Sequence, residues 1–156
     1  MSIDAREARV RRVNHRPVDS SQSQAALEVW AAHLIRTHIE KAGEALAAYC
    51  ERPRSAKRLH SARKQLARLR CALDDLSGLA GVTPDFRERV LELHKRAGKV
   101  RDADVLDARV REYCEDAFGH ERSQLRGMDA VLCKRRKKAR RKLQTVIART
   151  LSELHT

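Results

Sequence analysis

Two segments of the chain concentrate cationic side chains with no acid among them. Residues 52–70 and residues 134–142 each contain eight Lys or Arg side chains and no Asp or Glu. Together they contribute +16 to a chain whose formal charge is +13, so all other residues sum to −3. Self-repulsion of this kind costs stability, and local charge of one sign is what a polyanion-binding footprint requires. We therefore interpret the two segments as a binding surface rather than as ordinary solvated helix faces.

Helical spacing sharpens this prediction for the first segment. Its apolar residues step by three and four and form one stripe, which consists of Leu59, Ala62, Leu66, Leu69, Leu73 and Leu76. Beside the stripe lies a row about 15 Å long that consists of His60, Arg63, Ala67 and Arg70. The next row outward consists of Lys57, Lys64 and Arg68. We expect packing to order the inner row, and we expect Arg63 and Arg70 to favour the neutral form of His60 until an anion binds.

Carboxylates near these cations could hold a metal ion for chemistry on phosphate anhydrides. Asp102, Asp104 and Asp107 cluster, and Asp74 and Asp75 lie one turn past the first cationic segment. Helix caps and solvated acids explain these positions more simply, so we predict no catalytic residue, no metal site and no cofactor. The four cysteines lie far apart without C-x-x-C spacing. We expect buried or half-buried thiols in a reducing compartment.

Helices must position these side chains, because no segment alternates with period two for long enough to form a strand. A chain of 156 residues suits one domain. We predict an all-α bundle of four to five helices, at about residues 21–50, 53–76, 84–98, 102–118 and 120–154. Residues 1–19 carry five Arg and little that could pack. They predict a flexible basic arm before a single helical domain at residues 20–156.

Aromatic residues are scarce, at 3% of the chain. Single-strand nucleic-acid modules stack bases on aromatic platforms, so this scarcity disfavours them. We expect the aromatic side chains to fill the core, and they are Trp30, Tyr49, Phe86, Tyr113 and Phe118. No apolar run approaches the roughly 20 residues of a membrane span, and no secretory h-region precedes the helices. We expect a cytoplasmic protein that does not associate with membranes.

Two motifs in this sequence resemble those of the CHAD domain, the conserved histidine α-helical domain. Residues 59–70, LHSARKQLARLR, are similar to its signature H-x-x-R-[VK]-x-x-[RK]-R-L-R. Ala67 replaces the first basic residue of the R-R-L-R block, so that position donates nothing. Residues 97–106, AGKVRDADVL, resemble the L-G-x-x-R-D-x-D-V-L segment of the same family. With the first and last helices, the resemblance covers about residues 22–154.

The resemblance implies an all-helical fold, no established catalysis and binding of inorganic polyphosphate along a basic surface. By position, the implied binding residues are His60, Arg63, Lys64, Arg68, Arg70 and Arg101. An echo of the first motif follows 73 residues later, at Cys133, Arg136, Lys137 and Arg141. From the two cationic segments we add Lys57, Arg136, Lys137 and Arg140 to the candidate site.

Polyphosphate presents repeated charges without bases, which suits rows of Lys and Arg that lack aromatic platforms. We therefore predict polyphosphate binding, with non-sequence-specific nucleic-acid binding as the alternative. Residues 134–142 could track phosphates with steep salt dependence, although no helix-turn-helix motif supplies residues that read bases. In the second motif, Gly98 permits a bend and Asp102 or Asp104 can cap the next helix. Arg101 could then reach either an acidic partner or the ligand.

CHAD domains usually comprise two helical halves related by a pseudo-two-fold axis, and this chain has about half that size. One expectation is a monomer or weak homodimer that polyphosphate promotes to a dimer or larger assembly, with the polyanion lying between two basic rows. The other is a self-sufficient monomer, a CHAD-like half whose second and last helices share one groove. The resemblance also suggests association with polyphosphate granules in the cytoplasm.

Overall fold

The computed structural model describes residues 20–154, with side chains from Ser21 to Leu151. Four helices account for almost all of this range, α1 (Ser20–Glu51), α2 (Ala56–Leu76), α3 (Pro84–Asp116) and α4 (Gly119–Leu154). No strand occurs between residues 20 and 154. The prediction of an all-α bundle is therefore confirmed. The predicted basic arm at residues 1–19 lies outside the described residues.

Short connections make successive helices pack side by side, with α2 between α1 and α3, and with α4 against α3. One apolar core joins all four helices. The predicted stripe of α2 supplies its centre, because Leu59, Ala62, Leu66, Leu69 and Leu73 are buried and Leu76 packs at the margin. The same spacing that identified the stripe therefore also orients α2, so that Arg63 and Arg70 of the inner row are half-buried and the outer row is exposed.

The start of α2 differs from the prediction, which placed Pro53 in its first turn. Residues 52–55 instead form a turn in which the Ser55 amide donates to the Arg52 carbonyl at 3.0 Å. The Ser55 hydroxyl then accepts a hydrogen bond from the backbone amide of Arg58, at 3.3 Å. Ser55 is therefore the N-cap, because its side chain satisfies an amide that lacks a helical partner. This turn leaves Arg52 and Arg54 outside any helix.

The predicted break near Gly98 is wrong, because α3 runs without interruption from Pro84 to Asp116. A glycine inside a helix costs about 1 kcal/mol relative to alanine. Its neighbours Ala97 and Val100 are completely buried in the core, and their burial offsets that cost. Asp102 and Asp104 consequently lie inside the helix and do not cap a helix.

The expectation that aromatic residues fill the core holds for Tyr49, which is fully buried, and for Phe86, which packs against the core. It is wrong for Trp30, Tyr113 and Phe118, which are exposed. The reason is that some helices run past their neighbours. Every residue from 21 to 30 of α1 is exposed, and the core reaches no further than Val100 on α3. We call residues 105–131, the end of the α3–α4 pair beyond this core, the hairpin extension.

The α3–α4 turn that closes the hairpin extension is tight. Only Ala117 and Phe118 separate the two helices, and Gly119 follows with a φ of +56°. That left-handed conformation is accessible to glycine without a steric penalty. The predicted end of the preceding helix at Gly119 is thus confirmed to within a few residues. The consequence is a two-helix projection whose end exposes an aromatic ring.

All four cysteines are free thiols. The expected partial burial holds for Cys50, Cys114 and Cys133, and it is wrong for Cys71, which is exposed. Cys71 lies one turn after Ala67 on the outer side of α2, away from the leucine stripe. The exposure of Cys71 therefore follows from the face of α2 on which it lies rather than from its residue type.

Substitution of Tyr49 measures how much its buried ring and its hydroxyl each contribute to the stability of the core. Its side chain is fully buried, and its hydroxyl has no hydrogen-bond partner among the described residues. Burial raises the pKa of this phenol to about 12, although the charge of Arg140 acts in the opposite direction. We expect Tyr49→Phe to leave the free energy of unfolding unchanged or to raise it by about 1 kcal/mol, because an unsatisfied group is removed.

Tyr49→Ala is the matched variant, and we expect it to lower the free energy of unfolding by about 3–5 kcal/mol through the cavity it creates. Urea denaturation followed by circular dichroism measures both. A loss of more than about 1 kcal/mol in Tyr49→Phe would mean that the hydroxyl has a partner that stabilises the fold.

Candidate anion-binding surface

Two ion pairs join α3 to the cationic segment of α4. The carboxylate of Asp107, whose side chain is 3% exposed, accepts a hydrogen bond from Nη1 of Arg136. One turn earlier on α3, Asp104 accepts a hydrogen bond from Nη2 of Arg140 at 2.6 Å. The Arg136 and Arg140 side chains are mostly buried as well. Charges this well desolvated must be paired, so these contacts set the register of the two helices.

Because of these ion pairs, the cationic side chains of α4 point in three directions. Arg136 and Arg140 turn inward to the carboxylates, and Leu143 continues that inner row into the core. Lys137 and Arg141 lie about 100° further round the helix and are exposed on one side. The opposite side carries other cations of the segment, which are Arg135, Lys138 and Lys142. The segment is therefore not one uniform solvated face.

Lys137 and Arg141 face the α1–α2 turn across an open groove of about 940 Å³. We call it the basic groove. Its lining consists of Arg52, Pro53, Arg54, Arg136, Lys137, Arg140, Arg141 and Gln144. Among the residues that the structure describes, no acidic and no aromatic side chain belongs to this lining. The groove therefore brings the start of the first acid-free segment beside the second, although 80 or so residues separate them in sequence.

Four cations of the basic groove are free to meet a ligand. Arg52, Arg54, Lys137 and Arg141 form no ion pair with an acid in the described part of the chain. All four side chains are exposed. Pairing with Asp107 and Asp104 leaves Arg136 and Arg140 less available, although both line the groove wall. The groove thus combines a wall of ion-paired arginines with four exposed cations that have no acidic partner among the described residues.

A second group of cations lies where α2 packs on α3. Arg63 and Arg70 are half-buried, as their row beside the leucine stripe predicts, whereas His60 is exposed. The Nε atoms of Arg63 and Arg70 are buried and lack a hydrogen-bond partner among residues 21–151. Arg70 makes only a long ion pair with Asp74, at 3.9 Å. These guanidinium groups therefore retain unused donors at the α2–α3 boundary.

His94 of α3 lies in the field of these arginines. Burial lowers the pKa of His94 below its ordinary value of 6.5, and the positive charges of Arg70 and then Arg63 lower it further. Arg63 and Arg70 therefore favour the neutral imidazole of a histidine on the neighbouring helix. No motif pointed to this residue, because its environment depends on contact between two helices. We call Arg63, Arg70 and His94 the α2–α3 cluster.

Arg101 connects the two cationic regions along α3. It is half-buried and follows His94 by two helical turns on the same face. It also precedes Asp104 by one turn, and Asp104 holds Arg140 in the wall of the basic groove. Helix spacing of 1.5 Å per residue puts about 15 Å between the levels of His94 and Asp104. The cations therefore continue from the basic groove towards the α2–α3 cluster.

Not every predicted site residue belongs to this path. Lys57 is exposed at the start of α2, close in sequence to the basic groove. Lys64 and Arg68 are also exposed, but they line a different groove, with Trp30 and Leu34 of α1. Arg63 and Arg70 of the predicted inner row thus lie beside α3, whereas Lys64 and Arg68 of the predicted outer row lie beside α1.

The comparison with known families agrees with this arrangement. The family model described as CHAD domain matches residues 37–151, a range that includes both acid-free segments. The chain belongs to the CHAD family. No curated protein and no solved structure matches it.

In this CHAD domain, no helix of the described part is long and apolar enough to cross a membrane. Within the same residues, no group of three or more His, Cys, Asp or Glu side chains is placed to hold a metal ion. From the sequence we expected Asp104 and Asp107 to be helix caps or solvated acids, and both are instead paired with arginines of α4. Asp104 and Asp107 are three residues apart on one face of α3, and Arg136 and Arg140 are four residues apart on one face of α4. These helical spacings are the signal that would have identified them as partners.

The contribution of the buried Asp107 carboxylate to stability can be measured by substitution. We expect Asp107→Ala to lower the free energy of unfolding by about 3–5 kcal/mol, because it leaves the mostly buried Arg136 without its partner. Asp102→Ala is the control, since Asp102 is exposed on the same helix and should change stability by no more than about 0.5 kcal/mol. Urea denaturation of both variants measures the difference. Equal losses would show that the Asp107 pair does not stabilise the junction.

Proposed function

We propose that this CHAD domain binds inorganic polyphosphate in the basic groove and along the cations that continue towards the α2–α3 cluster. CHAD domains are helical binding domains that are associated with polyphosphate in general. The observation that carries the proposal is the convergence of the two acid-free segments on one groove with no acid in its lining. Four unpaired cations there would otherwise repel one another without compensation.

The shape of the cationic path supports a linear polyanion. The basic groove is open rather than enclosed, and Arg101 extends the line of charge along α3. A chain of phosphates could meet the groove cations first and the half-buried guanidinium groups of Arg63 and Arg70 further along. Small anions would use only part of this length. We therefore expect affinity to increase with polyphosphate length until the path is filled.

Binding rather than catalysis fits the carboxylates nearest to the groove. Asp104 and Asp107 each use one oxygen to accept from Arg140 or Arg136, and Asp107 is buried. A metal-dependent reaction on a phosphate anhydride would require carboxylates open to the metal ion. The arrangement of these side chains thus favours holding a phosphate chain over cleaving it.

Nucleic acid remains the alternative ligand, because cations also track its phosphates. The lining of the basic groove includes no aromatic side chain, so bases would lack a stacking platform there. Competition distinguishes the two ligands. We expect polyphosphate to displace single-stranded and duplex DNA at equal concentration of phosphate and equal salt. Displacement of polyphosphate by DNA at equal phosphate would favour the nucleic-acid function.

Reversing three charges of the basic groove tests the site. We expect the triple variant Arg52→Glu, Arg54→Glu, Arg141→Glu to bind polyphosphate more than about tenfold more weakly, since three charge-assisted contacts become repulsive. The slope of log affinity against log salt should decrease by about 0.7 for each lost contact, the value for single-stranded polyanions. Titration at several salt concentrations measures both quantities.

The matched control carries the same change in net charge elsewhere on the surface. Arg36, Lys41 and Lys95 are exposed, and none lines the basic groove. We expect their combined replacement by Glu to reduce affinity several times less than the groove variant, because only the long-range field changes. Equal losses in the two folded variants would mean that polyphosphate has no defined site in the groove.

His94 tests whether the polyanion reaches the α2–α3 cluster. In the free protein its pKa is lowered by burial and by Arg70 and Arg63, so it is neutral at pH 7. A polyanion beside these arginines would offset their charge and raise the pKa of His94 in the complex. Binding should then take up a proton. Affinity should increase as pH falls through the pKa of the complex, and the gain should be complete below the pKa of the free protein.

Calorimetric titration in two buffers of different ionisation enthalpy measures the proton uptake. We expect His94→Gln to abolish this contribution, while His33→Gln, which changes an exposed histidine of α1, should retain it. Identical proton uptake in the parent and in His94→Gln would exclude the α2–α3 cluster from the binding path and would leave the basic groove assignment intact.

A further inference from the structure

The side of α4 opposite the basic groove borders a second groove, of about 390 Å³, between α3 and α4. We call it the apolar groove. Its floor is formed by Ala103, Leu106, Leu132 and Ala139. Its rim carries five cations and one acid, which are Arg96, Lys99, Arg135, Lys138, Lys142 and Asp102. An apolar floor inside a cationic rim fits a partner that presents apolar side chains flanked by acids.

The hairpin extension continues this floor as an exposed apolar strip. Tyr113 follows Leu106 by two turns on the same face of α3, and it is 67% exposed. On α4, Val131 and Met128 precede Arg135 by one and two turns, so they lie on the side that borders the apolar groove. Apolar side chains this exposed and this contiguous mark an interaction surface rather than scattered surface residues.

The end of the hairpin extension has the features that the apolar groove would accept. Phe118, in the α3–α4 turn, is 84% exposed. Residues 115–121 around it contain three acids and no Lys or Arg. The whole extension, residues 105–131, has six acids and four cations, a net charge of −2 in a chain of +13. One face of the molecule therefore carries both an acidic aromatic tip and a basic apolar groove.

We propose that this face pairs two copies of the chain about a two-fold axis, with the Phe118 tip of each copy in the apolar groove of the other. A two-fold interface must be self-complementary, and a face with a donor end and an acceptor end satisfies that condition when the copies run antiparallel. The axis would pass near Val110, midway between Asp102 and Phe118. The strips with Tyr113 and Val131 would then meet at the centre and exclude water.

Charge explains why a second copy fits this face. The rest of the chain carries +15, so most surfaces of two copies repel each other, whereas the extension is net acidic. The shared face is about 30 Å long and two helices wide, on the scale of the roughly 800 Å² that each partner buries in a stable complex. Lys137 and Arg141 lie on the other side of α4, so the proposed dimer leaves the basic groove open.

The proposal goes beyond polyphosphate binding and is tested without any polyanion. We expect light scattering of the full chain at physiological salt to give a mass that increases with concentration from one chain to two. One variant reverses the rim of the apolar groove, with Lys99→Glu and Lys138→Glu. A second reverses the tip, with Asp116→Lys and Glu121→Lys. All four side chains are exposed, so both variants should fold, which circular dichroism checks.

Each reversed variant alone should dimerise more than about tenfold more weakly than the parent, because the tip and the groove then carry like charge. An equimolar mixture should form a heterodimer, since the acidic tip of the first variant meets the basic groove of the second, and the basic tip of the second meets the acidic groove of the first. Glu40→Lys with Glu44→Lys, on exposed sites of α1, is the control and should dimerise as the parent does.

Each result of these measurements either supports the proposed dimer or contradicts it. Weak association of each variant alone and recovery in the mixture support the pairing of tip and groove. A parent chain that stays monomeric at every concentration overturns the proposal. Variants that dimerise as well as the parent, or a mixture that stays monomeric while each variant folds, also overturn it. None of these outcomes bears on the basic groove, so the proposed polyphosphate function stands or falls separately.

Discussion

The paired burial of Asp104 and Asp107 against Arg140 and Arg136 is the constraint on which the rest of the surface depends. Charges removed from water are tolerated only with a partner at hydrogen-bond distance, so α4 cannot slide or rotate on α3 without breaking both contacts. Leucine packing alone would allow more freedom, because apolar contacts are not directional. The ion pairs therefore decide which cations of α4 face outward, and in which directions.

With the position of α4 on α3 set by these ion pairs, the two exposed sides of α4 lie beside different parts of the protein. One side meets the turn between α1 and α2 and gathers six cations, with Pro53 and Gln144 beside them. The other meets apolar residues of α3 and places cations only at the rim. One polybasic helix thus presents two chemically different surfaces. The inner row of arginines separates them.

Local patterns predicted the parts of the fold that depend on one helix. The leucine stripe of α2 and the half-burial of Arg63 and Arg70 follow from spacing alone. Features that depend on contact between helices were missed. Gly98 suggested a break because the burial of Ala97 and Val100 was not visible in the sequence. The environment of His94 likewise arises only where α2 packs on α3. The exposure of Phe118 reflects helix lengths, which no periodicity determines.

The order of packing along the chain has a consequence for how the fold forms. Each helix contacts mainly the helix before it, so the fold needs only short loops to close, and chains of this kind fold rapidly. During synthesis, α1, α2 and the first part of α3 can assemble before α4 has left the ribosome. Asp104 and Asp107 then stay hydrated until Arg136 and Arg140, which are synthesised some 30 residues later, can pair with them. The last helix therefore completes the molecule by burying the charges that its predecessor kept exposed.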